Sequence, residues 1–176
     1  MKYLIVIFLA CSLSAFSQRQ FPEIDSFGGV FPIPEAEQLV DPNKKYQIVV
    51  DMTSAAKNQT KDMNPGFESV ARLINLYGLA GVKKENLDVV VVIHFEATPV
   101  ILSDESFMTE YKENNPNTAV INKLSENGVK FYVCGQSLRM RKLVDYKKNK
   151  NIRVAHGAIL ALSHFQSLGY SLITLH

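Results

Sequence analysis

The segment LDVVVVIHF, residues 87–95, is the feature that most constrains the fold of this chain. Its valines and isoleucine are β-branched and favour a strand. No polar residue alternates with them between residues 89 and 93, as it would in a strand with one wet face. Such a run is typical of a strand covered on both faces, which occurs mainly in parallel sheets flanked by helices. The segment therefore predicts an α/β fold.

The remainder of the chain agrees, because strand-like runs alternate with helical patterns from residue 45 onward. The predicted strands cover residues 46–52, 87–95, 129–134, 151–155 and 170–175. The predicted helices cover residues 64–81, 116–128 and 156–170, and residues 98–113 predict a helix broken in two, with Pro99 opening it and Ser103 or Asp104 capping the second part. This alternation predicts an α/β sandwich with a five-stranded, mostly parallel sheet.

The N-terminus has the pattern of a secretory signal peptide. A positive start at Lys2 precedes the apolar run 4–10, and Ala15-Phe16-Ser17 supplies a small-x-small cleavage pattern. The run is too short to span a membrane, which takes about 20 residues. We expect residues 1–17 to be removed and the protein to be exported, periplasmic or secreted, without membrane attachment. A lipoprotein signal with Cys11 as the lipid-bearing residue and a buried first strand are the alternatives.

Removal of residues 1–17 leaves Cys134 as the single cysteine, so no intramolecular disulfide can form. An unpaired cysteine in an exported chain indicates a free or reactive thiol. Residues 18–44 contain several prolines and the pair Gly28-Gly29, and they predict an extended arm packed on the domain or on a neighbouring subunit. Residues 45–176 form the predicted domain.

The carboxyl ends of the predicted strands hold the candidate site, because ligands bind there in open α/β sheets. Cys134 lies between a strand and a helix N-terminus, where free N–H groups favour a thiolate. Gly135, Gln136 and Ser137 follow it and supply N–H groups for an anion. The alternative is that Cys134 is a buried apolar residue.

His94 and Glu96 close the second predicted strand, and either could tune the protonation of Cys134 if the second and third strands are neighbours. If the strand continued, Glu96 would point to the same side as His94. A histidine satisfied by a backbone carbonyl is the alternative. These two residues and Cys134 could supply three zinc ligands, but no compact ligand spacing supports a metal, so we expect no metal or cofactor. Asp51, at the end of the first strand, is expected at most to cap the segment that follows, and His156 could reach the same rim.

A basic run follows the candidate site, with seven lysines and arginines against Asp145 alone between Arg139 and Arg153. It suggests docking of an acidic partner or an anionic ligand, whereas a solvated loop is the alternative. Only Tyr146 lies among the charges, and the whole chain has a net charge of +2, so nucleic acid is not an expected partner.

Three segments of the chain resemble the DsrE/DsrF-like family of sulfur-relay and related proteins. They are VVVVIHFEA at 89–97, NPNTAVINKLSENGVKFYVCGQSL at 115–138 and VAHGAILALSHFQSLGYSLITL at 154–175. The resemblance implies a three-layer α/β/α sandwich with a five-stranded parallel sheet, and assembly into trimers or hexamers. Cytoplasmic members carry sulfur as a cysteine persulfide, and Cys134 matches the family cysteine.

The same resemblance implies that the second and third strands are adjacent, which would place His94 near Cys134. Members of this type often have glycine after the histidine, where this chain has Phe95. Export would also separate the chain from the cytoplasmic relay partners of the family.

Three classes of function therefore remain. The first is a sulfur carrier or thiol-transfer protein that exchanges sulfur with a donor or acceptor protein. The second is a non-catalytic binding or assembly module in which Cys134 is structural. The third is a hydrolase or metalloenzyme that uses the same rim. The sequence favours a sulfur carrier over a turnover enzyme and does not decide between them.

Overall fold

The computed structural model describes residues 18–175, so the predicted signal peptide and Cys11 lie outside the described residues. Five strands form one sheet in the order β4-β3-β2-β1-β5, and every pair of neighbours is parallel. The strands are β1 (Tyr46–Met52), β2 (Leu87–Ile93), β3 (Lys130–Cys134), β4 (Ile152–Ala155) and β5 (Ser171–Leu175). The predicted class of fold is confirmed, and the sheet is wholly parallel.

The helices follow the predicted alternation. They are α1 (Pro65–Leu79), α2 (Asp104–Tyr111), α3 (Thr118–Glu126), α4 (Gly135–Met140) and α5 (Ala158–Ser167), with short 3-10 helices at Lys84–Asn86 and Phe95–Ile101. Helix α1 begins as its sequence predicts, with Pro65 in the first turn and the Asn64 side chain accepting a hydrogen bond from the Gly66 N–H.

The β-branched run of β2 is buried on both faces, as predicted. Val89, Val91 and Ile93 face a core shared with α1 and α3. Val90 and Val92 face a second, smaller core against α5. Because successive side chains of a strand point to opposite faces, the run fills both cores without a polar residue between its valines. The three-layer arrangement follows from this double burial.

The two layers of helices cover the sheet unequally. The larger core lies on the side of α1 and α3, whereas α5 is the main cover of the opposite face. Ile159 and Leu160 on the outer side of α5 are 84% and 66% exposed, and Leu172 of β5 is 43% exposed. The face covered by α5 therefore has the smaller core and leaves large apolar side chains exposed.

The N-terminal arm packs on its own domain through one buried side chain. Asn75 of α1 accepts hydrogen bonds from the N–H groups of Glu23 and Ile24, and its amide donates to the carbonyls of Ile24, Phe27 and Gly28. Ile24 itself is fully buried. The arm is thus held on α1 by satisfied backbone groups and by an apolar anchor.

The chain departs from the prediction after Ile93. Strand β2 ends there, two residues before the predicted end, and the chain turns into the 3-10 helix Phe95–Ile101. Phe95 adopts a left-handed φ of 53°, which a strand does not accommodate. Pro99 lies inside this helix and does not open it, whereas Ser103 caps α2 as predicted by accepting a hydrogen bond from the Ser106 N–H. Among residues 18–175, no helix has the length and apolar character needed to cross a bilayer.

Candidate functional site

Cys134 is the last residue of β3 and the N-cap of α4. Its side chain faces the α5 side of the sheet and the residue is 5% exposed. The sulfur lies 3.4 Å from the backbone nitrogen of Ser137, which donates a hydrogen bond to it. The free N–H groups at the start of a helix thus meet the thiol, as predicted for this junction.

The surroundings of the sulfur favour its thiolate. Burial raises the pKa of the Cys134 thiol and is the largest single influence, but the Ser137 hydroxyl and the N–H groups of Ser137, Ala158 and Gln136 oppose it. Together these hydrogen bonds lower the pKa of Cys134 below that of an ordinary thiol. Ala158 begins α5, so the sulfur receives N–H groups from the starts of two helices. A thiolate or another sulfur anion is the species that this environment stabilises.

His94 follows the last residue of β2, and its ring bonds an acidic side chain on β1. Its Nε2 lies 2.6 Å from Oδ1 of Asp51, and the two side chains are 23% and 17% exposed. Sequence reasoning expected Asp51 at most to cap the next segment, and it missed this contact. The signal was present in the spacing, since Asp51 shares a strand face with Val49 and His94 shares one with Val92.

The sheet places His94 beside Cys134, as the resemblance implied. Strands β2 and β3 are hydrogen-bonded neighbours, and their register pairs Ile93 with Val133. The next residues along each strand are His94, whose backbone stays extended at φ −156°, and Cys134. Adjacent strands lie about 4.8 Å apart, so the two side chains start one strand spacing from each other on one face. Within residues 18–175, the His94 ring is hydrogen-bonded to Asp51.

Ser137 joins the cysteine to the segment that follows β2. Its hydroxyl oxygen accepts a hydrogen bond of 3.2 Å from the Phe95 N–H, and the same hydroxyl hydrogen-bonds the Cys134 sulfur. Phe95 adopts the left-handed backbone that glycine tolerates best, at the position where the resembled family often has glycine. The phenylalanine side chain is 61% exposed, so it contributes little to the core.

Glu96 does not lie beside the thiol on a strand, and the prediction that it points with His94 to one side of β2 is wrong. It belongs to the 3-10 helix Phe95–Ile101, where the two-residue alternation of a strand no longer holds. Its Oε1 forms an ion pair of 2.7 Å with the Arg141 guanidinium at the end of α4. This pair and the contact between Phe95 and Ser137 tie the two segments that flank the site.

Gly135 and Gln136 shape the side of the site next to β4. A Cβ atom at Gly135 would lie 2.9 Å from the Ala155 carbonyl oxygen, so the close approach of two backbones requires glycine there. The Gln136 amide donates to the carbonyl of His156. A cleft of about 300 Å³ opens beside them, lined also by Leu138, Arg139, Val144, Val154 and Ala155. His156 reaches this rim, as predicted, and its residue is exposed.

Part of the basic run from Arg139 to Arg153 is engaged within the chain. Arg141 binds Glu96, and Lys147 binds Glu105. The Lys148 ammonium donates to the carbonyls of Val144 and Tyr146. These contacts favour a structural role for that part of the run over a free docking patch.

Residues 18–175 contain no cluster of three His, Cys, Asp or Glu side chains arranged to hold a metal ion. Cys134, His94 and Glu96 do not converge as a ligand set, because the Glu96 carboxylate is bound to Arg141. The chemistry that these residues support is that of a polarised thiol beside an imidazole.

Comparison with known proteins identifies the family of this chain. The sequence pattern of the DsrE/DsrF-like family matches residues 44–175. Two similar solved structures are the protein of unknown function MTH1491 from Methanobacterium thermoautotrophicum and the ychN protein from E. coli. The first has 17% identity and a TM-score of 0.52 over 74% of this chain and 100% of its own. The second has 16% identity and a TM-score of 0.53 over 74% of this chain and 99% of its own.

At these identities the two structures show a shared fold alone. Among proteins with curated descriptions, none matches the chain. The family pattern spans β1 to β5 and includes Cys134, His94 and the helix starts around them. The chain belongs to the DsrE/DsrF-like family.

Proposed function

We propose that this protein is an exported sulfur carrier in which Cys134 accepts sulfane sulfur as a persulfide and passes it to a second thiol. The observation that carries the proposal is the hydrogen bonding of the Cys134 sulfur, which lowers the pKa of the thiol although the residue is buried. A buried cysteine with a purely structural role has no need of donors from Ser137, Gln136 and Ala158. Those donors suit a sulfur anion.

The transfer follows from ordinary thiol exchange. The Cys134 thiolate attacks the outer sulfur of a donor persulfide, a new S–S bond forms at Cys134, and the donor leaves as a thiolate. No net electrons are exchanged, because one S–S bond replaces another. An acceptor thiolate then attacks the outer sulfur and releases Cys134 as thiolate. The N–H groups around the sulfur would hold the terminal persulfide anion between these steps.

His94 supplies the proton handling in this scheme. It lies on the strand next to Cys134 and on the same face, so its ring can take the thiol proton and return it. Gly135, Gln136 and Ser137 form the ligand side of the site, with Ser137 donating directly to the sulfur. Glu96 fixes Arg141 in this scheme, and a direct role for its carboxylate in proton transfer stays a prediction.

The proposal includes export and self-assembly. The N-terminal pattern of residues 1–17 supports delivery to the periplasm or the exterior. The exposed apolar side chains of Ile159, Leu160 and Leu172 on the α5 side support a homo-oligomer, for which the family resemblance implies a trimer or a hexamer. The partner of the transfer is proposed to be a second protein with a persulfide or a reactive thiol.

The test is sulfur loading of the native protein. Treatment with a sulfane-sulfur donor should add about 32 Da, one sulfur atom, to the peptide that contains Cys134. Addition of an acceptor thiol should remove it, and the Cys134→Ser variant should show no addition. If Cys134 stays unmodified in the folded protein and reacts only after unfolding, the carrier function is wrong.

A binding module without sulfur transfer is the second candidate, favoured by the 5% exposure of Cys134 and by the open cleft of about 300 Å³ that Gly135 and Gln136 line. In that case the cleft binds its ligand and the cysteine only packs. The Cys134→Ser variant would then keep ligand or partner binding intact. Loss of binding in a folded Cys134→Ser variant would contradict this candidate.

A further inference from the structure

We propose that Asp51 is a positioning residue for the thiol chemistry of Cys134, acting through His94. Its Oδ1 lies 2.6 Å from Nε2 of His94, and both side chains are mostly buried. The inference rests on the proposed function of Cys134, because it assigns Asp51 a part in forming the reactive thiolate. The aspartate would fix the tautomer and the orientation of the imidazole.

The sheet arranges the three side chains in a row. Asp51 lies on β1, His94 directly after β2 and Cys134 at the end of β3, and these three strands are consecutive neighbours. Asp51 shares its strand face with Val49, and His94 shares its face with Val92, both of which belong to the core on the α5 side. Cys134 belongs to the same core. The row therefore lies on one face, at the carboxyl edge of the sheet.

The order of Asp51, His94 and Cys134 across the sheet determines which ring nitrogen can accept the thiol proton. An ionised carboxylate only accepts hydrogen bonds, so the hydrogen of a neutral His94 resides on Nε2 and the lone pair on Nδ1. Asp51 and Cys134 lie on opposite sides of β2, so the carboxylate contacts the ring from β1 while the thiol approaches from β3. The His94 and Cys134 side chains start about 4.8 Å apart, one strand spacing, and the sulfur and the ring nitrogen come within hydrogen-bond distance when the side chains approach each other or when one water bridges them.

The step itself is a proton transfer. The Cys134 thiol proton moves to Nδ1 of His94, the S–H bond breaks and an N–H bond forms, and the Asp51 carboxylate stabilises the resulting imidazolium. The proton returns when the thiol is regenerated, so no oxidant or reductant is required. At the carboxyl edge, the ionisable groups near His94 include Glu96, which is bound to Arg141, and the exposed His156 after β4. Asp88 of β2 and Tyr132 of β3 lie on the same face, farther from this edge. Within residues 18–175, Asp51 is the acidic group that is hydrogen-bonded to the ring.

The experiment compares the wild type with Asp51→Asn and with His94→Gln. The first readout is the tautomer of His94, measured by nitrogen-15 NMR and assigned from the signal lost in His94→Gln. The second is the rate of Cys134 alkylation by iodoacetamide against pH, read from the mass of its peptide so that Cys11 does not interfere. Asp88→Asn is the matched control, because Asp88 lies on the same face at the opposite end of β2 and binds Lys130 and Tyr170.

In the wild type we expect the hydrogen on Nε2. Asp51→Asn should move it to Nδ1, since an amide donates to Nε2. The same change should slow alkylation at neutral pH about tenfold, equivalent to one pH unit in the thiol titration, and displace the profile to higher pH. His94→Gln should slow alkylation to a similar degree, and Asp88→Asn should change neither readout.

Several results would overturn the assignment. One is a wild-type His94 that carries its hydrogen on Nδ1. This result would contradict the positioning role of Asp51 even if the Asp51→Asn variant does not fold. Another is an alkylation profile that Asp51→Asn leaves unchanged. If the wild type takes up no sulfane sulfur while its alkylation still depends on Asp51, the carrier function fails and the positioning role stands.

Discussion

Phe95 is a phenylalanine at a backbone position that favours glycine. Its φ of 53° lies in the left-handed region, which costs a non-glycine residue about 1 to 2 kcal/mol. The side chain is 61% exposed, so its removal forfeits little burial. The sequence pattern extended the strand to this residue because aromatic residues favour strands, and nothing local in the sequence signals a left-handed turn.

Replacement of Phe95 should therefore follow the backbone. We expect Phe95→Gly to be more stable than Phe95→Ala by about 1 kcal/mol, the reverse of the order at an ordinary position, because only glycine relieves the left-handed strain. Urea unfolding of both variants measures this difference. Equal stabilities, or a more stable alanine variant, would show that the turn carries no strain.

Ser137 is the residue that contributes two of the hydrogen bonds that lower the pKa of the Cys134 thiol. Its hydroxyl and its N–H both lower the pKa of Cys134, and Ser137→Ala removes the hydroxyl alone. The pKa of Cys134 should then rise, so the rate of thiol alkylation should reach its half-maximum at a higher pH and fall at neutral pH. The exposed Ser163 of α5 gives a matched control, Ser163→Ala, with an unaltered profile. An identical midpoint in Ser137→Ala and wild type would contradict the role of the hydroxyl.

The site was predictable from sequence in part, and the reasons differ from residue to residue. Cys134 was found because a strand run, a glycine and a helix start follow one another in the sequence. The partner of His94 was not, since Asp51 is 43 residues away: alternation places each residue on a strand face, but only the pairing of β1 with β2 brings the two together. Glu96 was placed wrongly because the end of β2 depends on a single left-handed residue.

At the scale of elements, periodicity predicted most of the fold. The strands and helices with strong apolar patterns were found to within a few residues, because burial on one or two faces imposes a period on the sequence. The arm was recognised from its prolines and glycines, but the way it docks was not predictable. Its main contact is a polar residue in the middle of α1, and an asparagine at that position carries no periodic signal.

Asn75 should hold the arm on the domain. It is fully buried and bonds backbone groups of Glu23, Ile24, Phe27 and Gly28. Asn75→Ala leaves these groups without partners, and we expect a loss of about 3 kcal/mol in the free energy of unfolding together with faster proteolysis near residue 24.

The control for this change is Asn86→Ala. Asn86 also contacts the arm, but through one long hydrogen bond of 3.4 Å to the Pro42 carbonyl. Its removal should cost about 0.5 kcal/mol or less. Thermal unfolding and limited trypsin or chymotrypsin digestion measure both variants. Similar losses in the two variants would mean that Asn75 is not the main anchor of the arm.

At the scale of the whole molecule, the uneven cover of the sheet predicts self-association. The α5 side presents Ile159 and Leu160 to the surface, where they are 84% and 66% exposed. The double variant Ile159→Glu, Leu160→Glu should reduce the oligomer to smaller species, because charges would be buried in the interface. Size-exclusion chromatography with light scattering reports the mass.

Leu39 gives the control for this prediction. It is 83% exposed in the arm, and Leu39→Glu should leave the oligomer intact. If the wild type is a monomer at micromolar concentration, or if the α5 variant keeps the full mass, the α5 side is not the interface. The number of copies was not accessible from periodicity, because it depends on how two surfaces fit.

The burial of Cys134 has a consequence for how the thiol survives. With 5% of the residue exposed, a donor or acceptor protein brings its own sulfur into line with Cys134 only when the rim around the thiol opens, so this opening limits the rate of transfer. In the closed state the thiol is shielded from mixed disulfides with other proteins. As the size of the thiol reagent increases, the rate of Cys134 modification should fall more steeply than the rate for a small free thiol. Burial would in this way slow the loss of the thiol to disulfides with other proteins between two transfers.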